Sequence, residues 1–110
     1  MAAYAMAQLR RVDMNGEIRD YLSLIDATLE PYGGRFLVHG STPEVVDGEL
    51  PGTIVLIGFP DRDSARAWYD SAGYQAILPL RTRNSDGGVA LLDGVPDGYR
   101  AADLPAKLDS

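Results

Sequence analysis

The order of segments predicts an α+β fold of the ferredoxin-like kind, βαββαβ, with an antiparallel four-stranded sheet and two helices on one face. Three observations carry this. An apolar strand pattern and an amphipathic helix pattern alternate along the chain. Turn chemistry falls between them at Pro31–Gly34, Ser41–Pro51 and Pro60–Asp61. Two of the strands are apolar on both sides, which one layer of helices cannot cover.

The first strand is read from Ala2 to Val12, where Tyr4, Met6 and Gln8 alternate with Ala3, Ala5, Ala7 and Leu9. Asp13 or Asn15 is placed to cap the following helix by accepting a backbone N–H of its first turn. Ile18, Tyr21, Leu22, Ile25 and Leu29 recur at spacings of three and four, so they share one helical face. Pro31 opposes further helix, and Gly33-Gly34 supplies the left-handed conformation that ends one. Arg35 to His39 is the second strand, closed by Gly40. Val45-Val46 is expected to form a short paired segment before the Asp47-Gly48 turn.

The third strand runs from Thr53 to Phe59, and Asp61 caps the second helix, with Asp63 adding charge where the helix dipole favours it. Gly73 is expected to break that helix, leaving Tyr74 to Leu80 as an extra turn limited by Pro79. The last strand is placed at Gly88 to Asp93. Residues 1–95 form the domain. Residues 96–110 hold Pro96, Gly98 and Pro105 without periodicity and are read as a C-terminal arm or as disorder.

In the third strand Val55, Ile57 and Phe59 point one way while Ile54 and Leu56 point the other. In the fourth, Val89 and Leu91 oppose Ala90 and Leu92. A second copy of the sheet is the natural cover for the side the helices leave bare, so a homodimer packed sheet against sheet is expected. The alternative is that the C-terminal arm folds under its own sheet. Size agrees with the dimer, because a lone chain of 110 residues buries only about two-thirds of its unfolded surface.

Composition excludes several function classes. A net charge of −6 with no dense cluster of Lys and Arg argues against nucleic acid as a partner. With no cysteine there is no disulfide, zinc-thiolate site or thiol nucleophile, and the cytoplasm is the expected location. The N-terminal apolar run is short and precedes Arg10-Arg11, the reverse of a secretory signal, and nothing approaches the roughly 18 apolar residues of a membrane span. One histidine and turn-borne carboxylates offer no recognised metal spacing, and Gly33-Gly34 lacks a phosphate-loop context. No metal and no cofactor are expected.

Several of these residues together resemble the domain of unknown function 1330. They are Tyr21, the run Tyr32-Gly33-Gly34-Arg35-Phe36-Leu37, Gly40, Phe59-Pro60-Asp61, the series Ala65, Trp68, Tyr69, Ser71 and Tyr74, then Leu80-Arg81 and Asp93-Gly94. The resemblance covers about Ala2 to Val95. It departs from the family at Ala72 and at Met14, where proline is usual. It implies membership of the dimeric α/β-barrel superfamily, whose other members include cofactor-independent monooxygenases of polyketide quinones, muconolactone isomerase-like enzymes and chlorite dismutase-like haem proteins. The family itself carries no settled activity.

Candidate site residues follow from the side chains. Arg81, on a continued helical turn, shares a face with Tyr74, Ile77 and Leu78. A cation in that setting needs an anionic partner, and the functional reading is a ligand carboxylate or enolate held bidentately, the bland one a structural salt bridge or chain-end hydrogen bond. Tyr74 and His39 are the other candidate catalytic groups, the histidine as a base near neutral pH or as an ordinary strand-end residue. Tyr21, Trp68, Tyr69 and Ser71 are candidate ligand-binding residues. Each also has a bland reading. Tyr21 and Trp68 would be core, the indole N–H still requiring an acceptor. Tyr69 would be a half-buried tyrosine and Ser71 a local backbone hydrogen-bonder. The expected function is that of a homodimeric binding or enzymatic domain for a small organic molecule, anionic or aromatic, and a cofactor-independent oxygenase, isomerase or lyase is the form an enzyme here would take. The alternative is a non-catalytic dimeric module whose conspicuous side chains pack or bind.

Overall fold

Small side chains on one strand set the shape of the molecule. In the computed structural model, which describes residues 1–109 (side chains excepted at 107 and 109), strand β1 spans Ala3–Val12 at the middle of the sheet. Ala3 and Ala5 on its inner face are buried, and being small they leave depth above the sheet for rings from the helices. Strand β3 (Thr53–Phe59) and strand β4 (Ser85–Asp93) flank β1, and strand β2 (Arg35–Val38) pairs with β3 at the edge. All three pairings are antiparallel, in the order β2-β3-β1-β4. This is the expected ferredoxin-like sheet, and in the single protomer it is open.

Helix α1 (Gly16–Leu29) starts at Asn15, whose side chain accepts the Ile18 N–H at 3.0 Å, and it buries Ile18, Tyr21, Ile25 and Leu29. A 3-10 turn at Glu30–Tyr32 and a left-handed Gly33 return the chain to β2. Helix α2 (Arg62–Asp70) is capped by Asp61, which accepts the Ser64 N–H at 2.7 Å, and it buries Ala65 and Trp68.

The chain then departs from the expected extra turn. Ser71 is extended, and its hydroxyl accepts the Tyr74 N–H at 3.2 Å. A new eleven-residue helix, α3 (Ala72–Thr82), therefore begins there. Gly73 lies in its first turn, where weak helix propensity matters least, and Pro79 is carried inside it. Strand β4 also starts earlier than expected. Gly87 belongs to it because a Cβ at that position would meet the Gln8 carbonyl oxygen at 2.0 Å. The glycine thus marks close approach of two backbones, not a strand end.

Val45-Val46 does not form the expected paired segment: the stretch is irregular and Val46 is 88% exposed. The tail carries a 3-10 turn at Ala101–Asp103 and a short helix, α4 (Leu104–Asp109), where an arm or disorder was expected. Helix α4 packs chiefly on the turn before it and leaves Leu104 and Leu108 exposed.

Strand register confirms the two-sided apolar pattern. Ala5 lies between Ile57 and Leu91 on the helix side, while Tyr4 and Met6 lie beside Leu56, Ala90 and Leu92 on the other. Among the described residues no helix covers that outer face, and Leu37 and Leu92 on it are 44% and 41% exposed. No helix among the described residues is long and apolar enough to cross a membrane.

Candidate functional site

Between the inner sheet face and helices α1 and α3 lies a cavity of about 410 Å³. Ala5, Ala7, Val55, Ile57 and Val89 form its sheet wall, and Ile18, Tyr21, Leu22 and Ile25 its α1 wall. Trp68, Tyr74 and Arg81 border it from α2 and α3. Arg10, Arg11, Met14, His39, Gly40 and Thr53, from strand ends and loops at one end of the sheet, also border it.

Two helices bring two phenols together. Tyr21 of α1 and Tyr74 of α3 are both buried, their hydroxyl oxygens 2.8 Å apart and their rings edge-on at 6.2 Å. Burial pushes the pKa of the Tyr21 hydroxyl well above the tyrosine range, and the adjoining Tyr74 adds to the rise, so Tyr21 keeps its proton near neutrality. Arg81 sits two turns beyond Tyr74 on the same face of α3, beside both hydroxyls. Burial works against its charge, but Tyr74 and Tyr21 work for it, and the net direction of its pKa is upward. The guanidinium remains a cation. The structural salt bridge considered for Arg81 is not present among the described residues, and its buried Nε has no hydrogen-bond partner there.

Trp68 is 1% exposed, with its ring 4.1 Å from that of Tyr74 and 5.5 Å from that of Phe59. The acceptor its indole N–H requires is Thr28 Oγ1, at 3.0 Å, so one face of the ring borders the cavity while its polar atom is used structurally. Tyr69 is half-buried and packs on Trp68 and Tyr74 without bordering the cavity. Ser71 also stays outside it. Its hydroxyl donates to the Trp68 carbonyl at 2.6 Å and caps α3, which is its local backbone role.

Strict alternation along β2 would send His39 to the same face as Arg35 and Leu37. The pairing of β2 with β3 shifts register between Phe36 and Val38. The histidine therefore does not follow Arg35 and Leu37 to the outer face. It stacks on Phe36, centroids 4.3 Å apart and planes at 14°, and borders the cavity while remaining exposed. A second irregularity, between Leu9 and Arg11 on β1, has a similar result. A bulge interrupts strict alternation, so Arg10 and Arg11 both border the cavity.

Sequence reading missed Asn84, a buried polar residue that ties three segments together. Its side chain accepts from Asn15 Nδ2 at 2.7 Å and donates to Glu17 Oε1 at 3.0 Å and to the Leu80 carbonyl at 2.8 Å. Arg83 pairs with the same Glu17. These bonds fix the start of α1 against the end of α3, and so hold Tyr21 against Tyr74. Hydrogen bonding from Arg83, then from Asn84, lowers the Glu17 pKa below its ordinary value of 4.5. The ionised form therefore stabilises the fold fully above 4.5, and that contribution disappears as pH falls through the lower folded value. Glu17→Gln should accordingly melt below the native protein at pH 7, and the gap should close under acid. A gap that persists unchanged at pH 3 would contradict this linkage.

Among the described residues no group of three or more His, Asp or Glu side chains is placed to hold a metal ion.

The cavity side of the sheet and the run from Ala65 to Arg81 lie wholly within one matched stretch. Residues 2–95 match the family described as Domain of unknown function (DUF1330). The chain belongs to that family. No curated protein matches it. Among solved structures it is similar to a Rhodopseudomonas palustris protein of unknown function at 12% identity and a TM-score of 0.63, over 86% of this chain and 83% of that one. It is also similar to a dimeric ferredoxin-like protein of unknown function from Jannaschia sp. CCS1, at 13% identity and a TM-score of 0.55, over 86% and 100%. A third is SnoaB, a cofactor-independent oxygenase from Streptomyces nogalater, at 12% identity and a TM-score of 0.55, over 90% and 96%. At these identities the likeness shows the fold.

Proposed function

We propose that this member of the DUF1330 family is a homodimer in which each protomer binds a small organic molecule in the cavity between sheet and helices. The observation that carries the reading is convergence. In one largely apolar cavity of about 410 Å³ the chain assembles a cation, two hydroxyls that bond each other, an indole face and, at its border, its only histidine. Apolar walls with a few convergent polar groups are the ordinary make-up of a ligand site. The apolar outer sheet face supports the dimer, since a second copy would cover it with the same patch. That the Jannaschia neighbour of the same fold is dimeric supports this reading. A cysteine-free chain suits the cytoplasm.

As an enzyme the site would work without a cofactor. Arg81 would stabilise negative charge developing on a substrate oxygen, and Tyr74 or His39 would move the proton. Oxygenase, isomerase and lyase reactions share that step, and SnoaB is an oxygenase on this scaffold. One observation favours the non-catalytic module. The Trp68 N–H and the Ser71 hydroxyl are already bonded within the protein, and Tyr69 is packed away from the cavity.

Thermal denaturation across a panel of small organic acids, phenols and ketones tests the reading, because a ligand of the native state raises the melting temperature. At least one compound should stabilise the native protein, and Arg81→Lys and Tyr74→Phe should weaken that response. If no compound stabilises it, or both variants respond like the native protein, the pocket reading fails. Loss of stability alone in the variants favours the module.

A further inference from the structure

We infer that the ligand is a small organic monoanion, an aromatic or alicyclic carboxylate in size and shape, bound with its charge at Arg81 and its body against the Trp68 and Tyr74 rings. This rests on the pocket reading above and adds the chemical class.

The first argument is the distribution of charge. The chain carries 16 acidic residues against 10 basic ones, yet among the described residues no Asp or Glu borders the cavity, while Arg10, Arg11, Arg81 and His39 all do. A predominantly acidic protein has kept its carboxylates out of this one space. The second argument is charge arithmetic. Arg10 is bonded to Asp86 at 2.9 Å, and Arg11 to Asp13, so both border arginines are neutralised from within the chain. Arg81 has no carboxylate partner among the described residues, and its buried Nε is without an acceptor. One uncompensated positive charge calls for one negative charge on the ligand. A half-buried guanidinium gains most from a carboxylate, whose two oxygens match its donors.

The remaining walls specify the body. The Tyr21 and Tyr74 hydroxyls lie beside Arg81, where one of them can donate to the same anion. Beyond them the walls are mainly aromatic and aliphatic, with Thr53 and Ser85 among the few polar side chains. A volume of about 410 Å³ lies near the lower end of small-molecule sites, suiting one or two rings more than a nucleotide.

The test uses three matched compounds: 4-tert-butylbenzoate, the neutral 4-tert-butylbenzamide and the cationic 4-tert-butylbenzylamine. Each is titrated into ¹⁵N-labelled protein while the indole N–H signal of Trp68, the only tryptophan, is followed. The benzoate should bind about tenfold more tightly than the benzamide, the scale of one charge-assisted contact, and the benzylamine should not bind. Arg81→Met should abolish the preference, and Arg66→Met, at an exposed position of α2 that does not border the cavity, should keep it. Equal affinity for benzoate and benzamide in the native protein would overturn the anion assignment and leave the pocket reading standing. A preference that survives in Arg81→Met would overturn the role of Arg81. An indole signal unmoved by all three compounds would overturn the assignment and the pocket reading together. The comparison of the three compounds on the native protein decides the class even if Arg81→Met does not fold.

Discussion

Trp68→Ala should destabilise the protein by about 3–5 kcal/mol, the range for removing a large buried aromatic. The indole is 1% exposed and touches the rings of Phe59, Tyr69 and Tyr74, so it joins α2, α3 and the sheet. Truncation would also remove the N–H bond to Thr28, although Thr28 keeps its own bond to the Ile25 carbonyl at 2.6 Å. The cavity lies on one side of the ring, so the void would merge with existing space that the walls cannot close. For a domain of this size the loss corresponds to a melting temperature lower by roughly 10–20 °C. Urea denaturation of the pair measures it. A loss below about 1 kcal/mol would show that Trp68 is not the packing centre described above.

Leu56→Asp should convert the proposed dimer to a folded monomer. Leu56 faces outward opposite Met6, near the middle of the apolar face that also holds Tyr4, Ile54 and Leu92. In a two-fold interface one substitution acts twice, placing two carboxylates in a shared apolar patch. Desolvating them costs several kcal/mol without a partner cation. The protomer's own core lies on the opposite side of the sheet and would be spared. Light scattering coupled to size exclusion, with circular dichroism as a check of folding, reads the outcome. A dimer that persists in Leu56→Asp would mean the subunits meet elsewhere.

The repeating patterns were legible because local chemistry decides them. Ile18, Tyr21, Ile25 and Leu29 show helical spacing whatever surrounds them, and Asp61 before the second helix is a local cap. The two-sided apolar strands were also legible, since the side-chain period in a strand is two. What was missed depends on partners distant in sequence. His39 changes side because the β2–β3 register shifts after Phe36, and only the paired strand reveals that. Asn84 becomes a hub only when Asn15, Glu17 and Leu80 are brought to it. The early start of β4 follows from the approach of Gly87 to Gln8, which two glycines in a row disguise as a turn. Ser71 was read as a local hydrogen-bonder, yet its power to start a complete helix was underestimated beside Gly73 and Pro79. At the candidate site, Tyr74 and Arg81 were legible together because they share a face of one helix, and Tyr21 and Trp68 because each lies on the buried face of its own helix, whereas the bordering Arg10 and Arg11 needed the β1 bulge to arrive there.

In the proposed architecture a sheet apolar on both faces is roofed on one side by its own helices and on the other by a second subunit. Sedimentation equilibrium of the native protein at micromolar concentration tests this directly. The expected result is a single species at twice the 11.9 kDa mass of the chain. A stable, soluble monomer at that concentration, with its outer sheet face open to water, would contradict it.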